Sequence, residues 1–230
     1  MNDSVYVLGN GLSRKNINPS QLKGTIIGCN ACYRDFKPDI ICGTDAGIIS
    51  DISDSGFDGD CYFTHDSWNL LPADAKASLS NGSEHETIRK EGDDQFVYIS
   101  GLDSGVTQPQ SYIIWVPKKM EHKIKNLTST DIFHGWSTGT SALYIACRDF
   151  TWNDYEKVYL LGFDHHNNYY DNIYTDTEHY FSKDREMKDE YNNWNKQIFK
   201  VIGEHPCLQF IWVNYRGNDF PKLSNLFSKD

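Results

Sequence analysis

The sequence predicts an α/β fold: a mostly parallel sheet flanked by helices. Three observations predict it. Short apolar runs recur along the chain, and each closes on glycine and polar side chains. Short helical or turn-like connectors alternate with these runs, the pattern of a parallel sheet. Late in the chain, apolar residues fall at steps of four and three, the spacing of an amphipathic helix.

The first run, Val5 to Leu8, is β-branched and aromatic and ends in Gly9-Asn10-Gly11, which reads as a buried strand. "RKNINPSQLKG" follows as a helical turn or irregular segment. "TIIGCN" (Thr25 to Asn30) is the second strand, and "ACYRDFKP" is turn-like and stops near Pro38. "DIICGTD" is the third strand, "AGIISDIS" a short helix and "CYFTHDSW" the fourth strand. The polar stretch from Leu70 to Asp94 reads as surface helix and loop, and "QFVYIS" as a further strand. Residues 101–133 show no clean period and read as an irregular insertion.

Order returns at Ser137-Thr138-Gly139, hydroxyls placed ahead of Leu143, Ala146 and Cys147 as at a helix start. "KVYLLGFDHH" is the strongest strand, and a tyrosine-rich loop follows it. From Lys183 to Ile202 the apolar residues Met187, Tyr191, Trp194, Ile198 and Val201 mark a helix of about five turns, with Gly203 past its end. "LQFIWVN" is the last strand. The chain is read as one α/β domain over residues 1–230, Rossmann-like, with residues 165–183 as a lid loop.

The 230 residues are 39 % hydrophobic, enough to bury a core, and 14 % aromatic, a bias that suits stacking on sugars and bases. Lys and Arg number 22 against 32 Asp and Glu, so the net charge of −10 draws no polyanion to the surface as a whole. The local exception is "PKKMEHKIK", with Lys118, Lys119, Lys123 and Lys125, either a solvated surface or an acceptor patch. No run approaches the ~20 apolar residues of a membrane span, and the opening lacks a secretory leader's basic start, so a cytoplasmic protein is expected. Cys29-Asn-Ala-Cys32 has no second pair at metal spacing, so ordinary thiols are expected.

In an open parallel sheet, ligands bind beyond the carboxyl ends of the strands. There the first strand delivers Gly9, Asn10, Gly11 and Ser13, and the second Asn30. The third delivers Thr44 and Asp45, the fourth His65 and Asp66, and the late strand Asp164, His165 and His166. Gly-Asn-Gly lacks the third glycine of the dinucleotide fingerprint and is no Walker loop. It is either a tight turn or, with Ser13, Arg14 and Lys15 behind it, a phosphate loop. Ser137, Thr138, Gly139 and Thr140 open a helix whose N–H groups suit a second anion.

Asp164 reads as an acceptor for a ribose or substrate hydroxyl, as a structural residue, or with His165, His166 and Asp171 as a metal ligand. Adjacent residues on extended chain point apart, which disfavours the metal reading. His179 stands in the polar loop before the long helix; an imidazole there either takes a proton from a hydroxyl or simply faces solvent. His65 and His134 are weaker candidates for the same role. Asp58-Gly-Asp60 has the form of a metal–diphosphate motif but precedes its strand, at the wrong end for the site. No Gly-x-Ser-x-Gly elbow is present. Chemistry without a metal or cofactor is therefore expected.

"VYVLGNGLSRKNI", "IIGCNACYRDF", "STGTSALYIA", "KVYLLGFDHHNNYY" and "TEHYFSKD" together resemble, in order and rough spacing, the bacterial sialyltransferases of glycosyltransferase family 42. The likeness spans the first ~45 residues and about residues 134–214; Leu12 stands where that family has proline. The resemblance implies a metal-independent transfer of a sugar from a nucleotide-sugar donor to a hydroxyl. Asn10, Gly11 and Ser13 would hold donor phosphate and ribose, and Asn30 would meet the nucleotide. Ser137, Thr138 and Gly139 would contact base or phosphate, with Asp164 beside nucleotide or acceptor. Tyr169 or Tyr170 would take the phosphate-binding tyrosine's place, and His179 would be the base. The same motifs resemble small tailed-phage proteins linked to glycosylation of hydroxymethylated DNA bases, which would place the chain in a host cytoplasm, and pterin pyrophosphokinases. A saccharide or modified-DNA acceptor and a homo-oligomer both stay open.

Overall fold

The computed structural model describes residues 4–57, 59–64, 86–91, 94–100, 111–116, 137–149, 155–166, 168–217 and 220–230. In chain order the strands and α-helices are β1 (Ser4–Leu8), β2 (Thr25–Cys29), β3 (Ile40–Gly43), α1 (Ala46–Asp54), β4 (Asp60–Thr64), β5 (Glu86–Glu91), β6 (Asp94–Ser100), β7 (Ser111–Val116), α2 (Thr138–Asp149), β8 (Lys157–Leu161), α3 (Lys188–Glu204), β9 (Gln209–Val213) and β10 (Leu226–Lys229). The chain was expected to form one domain; it divides into two compact units, Met1–Pro38 with Trp136–Asp230, and Asp39–Gly135.

The first unit holds a parallel sheet in the order β10-β9-β8-β1-β2. This is the α/β, Rossmann-like architecture that the glycine-closed apolar runs predict. Strand alternation sends Val5 and Val7 to one face, where both are essentially unexposed. Helix α2 packs on β1, β2 and β8, and α3 packs on α2. The expected 3-4 stripe on α3 is the buried one: Met187, Tyr191, Ile198 and Val201 are closed off. Each large apolar side chain so buried contributes roughly 1.5–3 kcal/mol, which holds α3 in place against α2 despite its polar outer face.

In the second unit β3, β4 and β7 are parallel, and β6 and β5 continue antiparallel from β7. Helix α1 buries Ile48, Ile49 and Ile52 on one face.

Several boundaries differ from expectation. The stretch 101–133 is not irregular throughout, because "SYIIWV" forms β7. The stretch from Leu70 to Asp94 includes β5, "ETIRKE", whose charged residues carry no hydrophobic signal. Helix α3 begins at Lys188 and runs through Gly203, which a Cβ would leave in open space, so nothing forces a stop there. A further strand, β10, follows β9 with only Leu226 buried. "RKNINPSQLKG" and "ACYRDFKP" contain 3-10 turns at Leu12–Arg14, Pro19–Gln21 and Asn30–Arg34. Among the described residues no helix is long and apolar enough to cross a membrane.

Candidate functional site

The carboxyl ends of β8, β1 and β2 meet the start of α2 in the first unit. Strand pairing brings the first of these together: Leu8 lies beside Leu161 on one side and Gly28 on the other. The Gly-x-Gly loop is built against the end of β8. Gly9 N donates to Leu161 O at 2.8 Å and Gly11 N to Gly162 O at 2.9 Å. A Cβ at Gly9 would strike Gly162 O, and one at Gly11 would lie 2.8 Å from Asp164 Cβ, so side chains are excluded by close chain approach. Ser13 N donates to Asp164 Oδ2 at 2.6 Å, Arg14 N to Gly11 O and Lys15 N to Leu12 O. These N–H groups, which a phosphate loop would present, are thus spent on the protein, and the two glycines have a packing reason of their own.

The two cations after the loop part company. Arg14 is 4 % exposed, and Lys15 faces solvent. Arg14 Nε donates to Gly9 O at 2.6 Å, and Nη2 to Asn10 Oδ1 at 3.1 Å and to the Tyr174 hydroxyl at 3.2 Å. Its guanidinium stands 3.7 Å from Asp35 Oδ2, to which the Tyr174 hydroxyl donates at 2.6 Å. Burial and the bond to Asp35 push the Tyr174 phenol far up, so it stays a protonated donor.

Asn10 is engaged in the same network. Its Nδ2 donates to Cys29 O at 3.0 Å and to the Tyr180 hydroxyl at 3.1 Å, and its backbone O accepts Ile173 N at 2.8 Å. The Tyr180 hydroxyl also accepts Ala31 N at 3.2 Å, and burial pushes its pKa up. The segment expected to be a lid is therefore fastened over the ends of β1 and β2 by Ile173, Tyr174 and Tyr180. Next to Tyr180, His179 is exposed and left-handed, φ 65°, with Nε2 4.0 Å from Glu178 Oε1. A non-glycine residue at positive φ is held there by its surroundings and is a pointer to function.

Asn30 opens its 3-10 turn at φ 47°, and its Oδ1 is buried with no hydrogen-bond partner. Ser13 Oγ is likewise buried and unpartnered. Asp164 is 4 % exposed. At α2, the Ser137 hydroxyl accepts Thr140 N at 3.0 Å and pairs with Thr140 Oγ1 at 2.7 Å, an N-cap of the kind the hydroxyl-rich start predicts. Thr138 O accepts from Cys29 Sγ at 3.8 Å, and Gly139 lies against the Phe163 ring. The turn Ser137 to Thr140 therefore stands beside the ends of both β2 and β8.

Tyr169 is 59 % exposed and bridges to Glu186. Tyr170 N donates to Arg185 O, and its ring meets Phe181 edge-on. His165 is packed away from any ligand set: its ring stacks on Tyr191 at 5.1 Å and meets Trp194 and Phe163 edge-on. Burial pushes this imidazole down to about 4. Cys29 and Cys32 are buried free thiols, and burial holds Cys32 up at about 12, a protonated, inert group.

Asp45 belongs to the second unit, where it follows β3 and its carbonyl accepts Ile49 N in α1. His65, Asp66, Asp58, His134 and the strip from Lys118 to Lys125 lie outside the described residues. Sequence reasoning passed over Asp35, Tyr174, Tyr180 and Gln197, the last of which accepts Ser137 N at 3.1 Å. "EHY" was a usable signal for Tyr180, since a tyrosine beside the candidate base shares its placement.

No known family model, curated protein or solved structure matches the chain.

Proposed function

We propose that this chain is a nucleotide-sugar-dependent glycosyltransferase in which His179 is the general base. One observation carries the reading: the segment bearing His179 is pinned by Tyr180 to Asn10 and to Ala31 N, over the ends of β1 and β2. His179 is exposed on that segment, and an exposed imidazole suits proton removal from a hydroxyl; the loop after β1 and the turn after β2 add the unpartnered Ser13 Oγ and Asn30 Oδ1. In the reaction the acceptor oxygen bonds to the anomeric carbon as its proton passes to His179. The bond from that carbon to the donor phosphate breaks, and the nucleotide leaves with the electron pair. In this reading Ser137, Thr138 and Gly139 at the α2 start contact the donor's base or phosphate, with Thr140 buried behind them in the cap, and Tyr169 or Tyr170 meets the phosphate. The chemistry needs no metal.

The acceptor is taken as a saccharide hydroxyl. The alternative, a hydroxymethylated DNA base, leaned on Lys118 to Lys125, and nothing described adds to it; nor does anything described favour a pyrophosphokinase. Incubation with cytidine and uridine nucleotide-sugars, with released nucleotide measured, tests the reading. Release by the wild type and its loss in His179→Ala with nucleotide binding retained would support it. Full release by His179→Ala would sink the base assignment.

A further inference from the structure

We infer that Asn193 reads the nucleobase of the donor, an inference that rests on the transferase reading above. Asn193 is 2 % exposed, and neither its Nδ2 nor its Oδ1 has a hydrogen-bond partner. Leaving a buried carboxamide unmet is costly, and native interiors rarely do so without a reason. The next polar group on the same helix face is fully employed. Gln197 is unexposed, and its Oε1 accepts Ser137 N at 3.1 Å at the start of α2.

Residues four apart on a helix share a face, so Asn193 is directed as Gln197 is, about 6 Å nearer the amino end of α3. Helix α3 starts on the carboxyl side of the sheet, because it follows β8 and returns the chain to the parallel strand β9. Asn193 therefore lies one turn beyond the Ser137 turn, in the region past the strand ends where open α/β sheets take ligands. That turn is bounded by Phe163 at Gly139 and by Cys29 at Thr138.

The chemistry of the group narrows its occupant. A carboxamide offers a donor and an acceptor side by side in one plane. A phosphate presents acceptors alone and would leave Oδ1 unmet. A single hydroxyl oxygen reaches only one of the two atoms in good geometry. A nucleobase edge presents an acceptor next to an N–H donor and meets both, the pairing that carboxamide side chains make with bases elsewhere.

Calorimetric titration of the full chain with CMP, UMP, AMP and GMP, together with thermal melting, tests this. The proteins compared are the wild type, Asn193→Leu and Asn193→Asp. The expected result is that the wild type binds at least one nucleotide and that Asn193→Leu melts at the same or a higher temperature. Asn193→Leu should bind that nucleotide roughly 10–100-fold more weakly, and Asn193→Asp, with acceptors only, should also weaken it. Equal affinity in the wild type and Asn193→Leu overturns the inference and leaves the transferase reading standing. A melting point for Asn193→Leu well below the wild type overturns it too, because the amide is then satisfied within the protein. A wild type that binds none of the four overturns the transferase reading and this inference together.

Discussion

The Tyr180 hydroxyl accepts the Asn10 amide at 3.1 Å across a separation of 170 residues, and it takes Ala31 N at 3.2 Å as well. One phenolic oxygen thus joins the loop after β1, the turn after β2 and the segment that carries His179. Tyr180→Phe keeps the ring and removes only that oxygen, leaving two N–H donors unmet. A cost of about 1–3 kcal/mol is expected, read as a lower urea midpoint. Limited proteolysis should also cut faster between residues 173 and 183. Unchanged cutting would mean that the segment is held without the hydroxyl.

Gly11→Ala should be worse than its size suggests. The added methyl has Asp164 side-chain atoms within 2.8 Å, and that carboxylate is fixed by Ser13 N. Overpacking of this kind costs about 1–3 kcal/mol, detectable by denaturant titration. If the loop were a phosphate cradle only, the free protein would be indifferent to the change and nucleotide affinity alone would fall.

The strands that were legible in the sequence are those built as apolar runs, such as Val158 to Leu161, in which Val158, Leu160 and Leu161 are buried, because such runs closed by glycine or polar residues are a local signal. β10 was not, since one buried residue in four makes no period, and neither was the charged β5. Around the site, the residue types at the strand ends could be read in order from the sequence. Their employment could not. Gly11 looks the same whether its N–H faces a phosphate or Gly162 O, and only the pairing of β1 with β8 decides it. Arg14 and Lys15 are adjacent cations in the sequence, yet the partners that bury one of them stand 21 and 160 positions away.

That contrast between the cations is itself testable. Arg14→Ala removes a guanidinium that donates to Gly9 O, Asn10 Oδ1 and Tyr174, and it leaves those acceptors buried. Asp35 is partly exposed and screened, so the ion pair adds little. The hydrogen bonds dominate, for an expected loss of about 2–3 kcal/mol. Lys15→Ala, on the surface, should change stability by no more than about 0.5 kcal/mol. Equal melting points for the two variants would refute the buried, structural role of Arg14.

His165 should make the fold weaken as the solution turns acid. Burial holds its folded imidazole at about 4, against 6.5 for the ordinary group. Above 6.5 the ring is neutral in both the folded and the unfolded chain and contributes nothing to pH dependence. Between 6.5 and about 4 the unfolded chain binds a proton that the folded one refuses, so stability falls with falling pH across this window. The full difference amounts to roughly 3 kcal/mol. His165→Phe removes the titration and keeps an aromatic ring against Tyr191 and Trp194. Unfolding free energy measured from pH 7.5 to 4.5 should therefore slope less steeply for His165→Phe than for the wild type. Parallel slopes would show that another group carries the acid sensitivity.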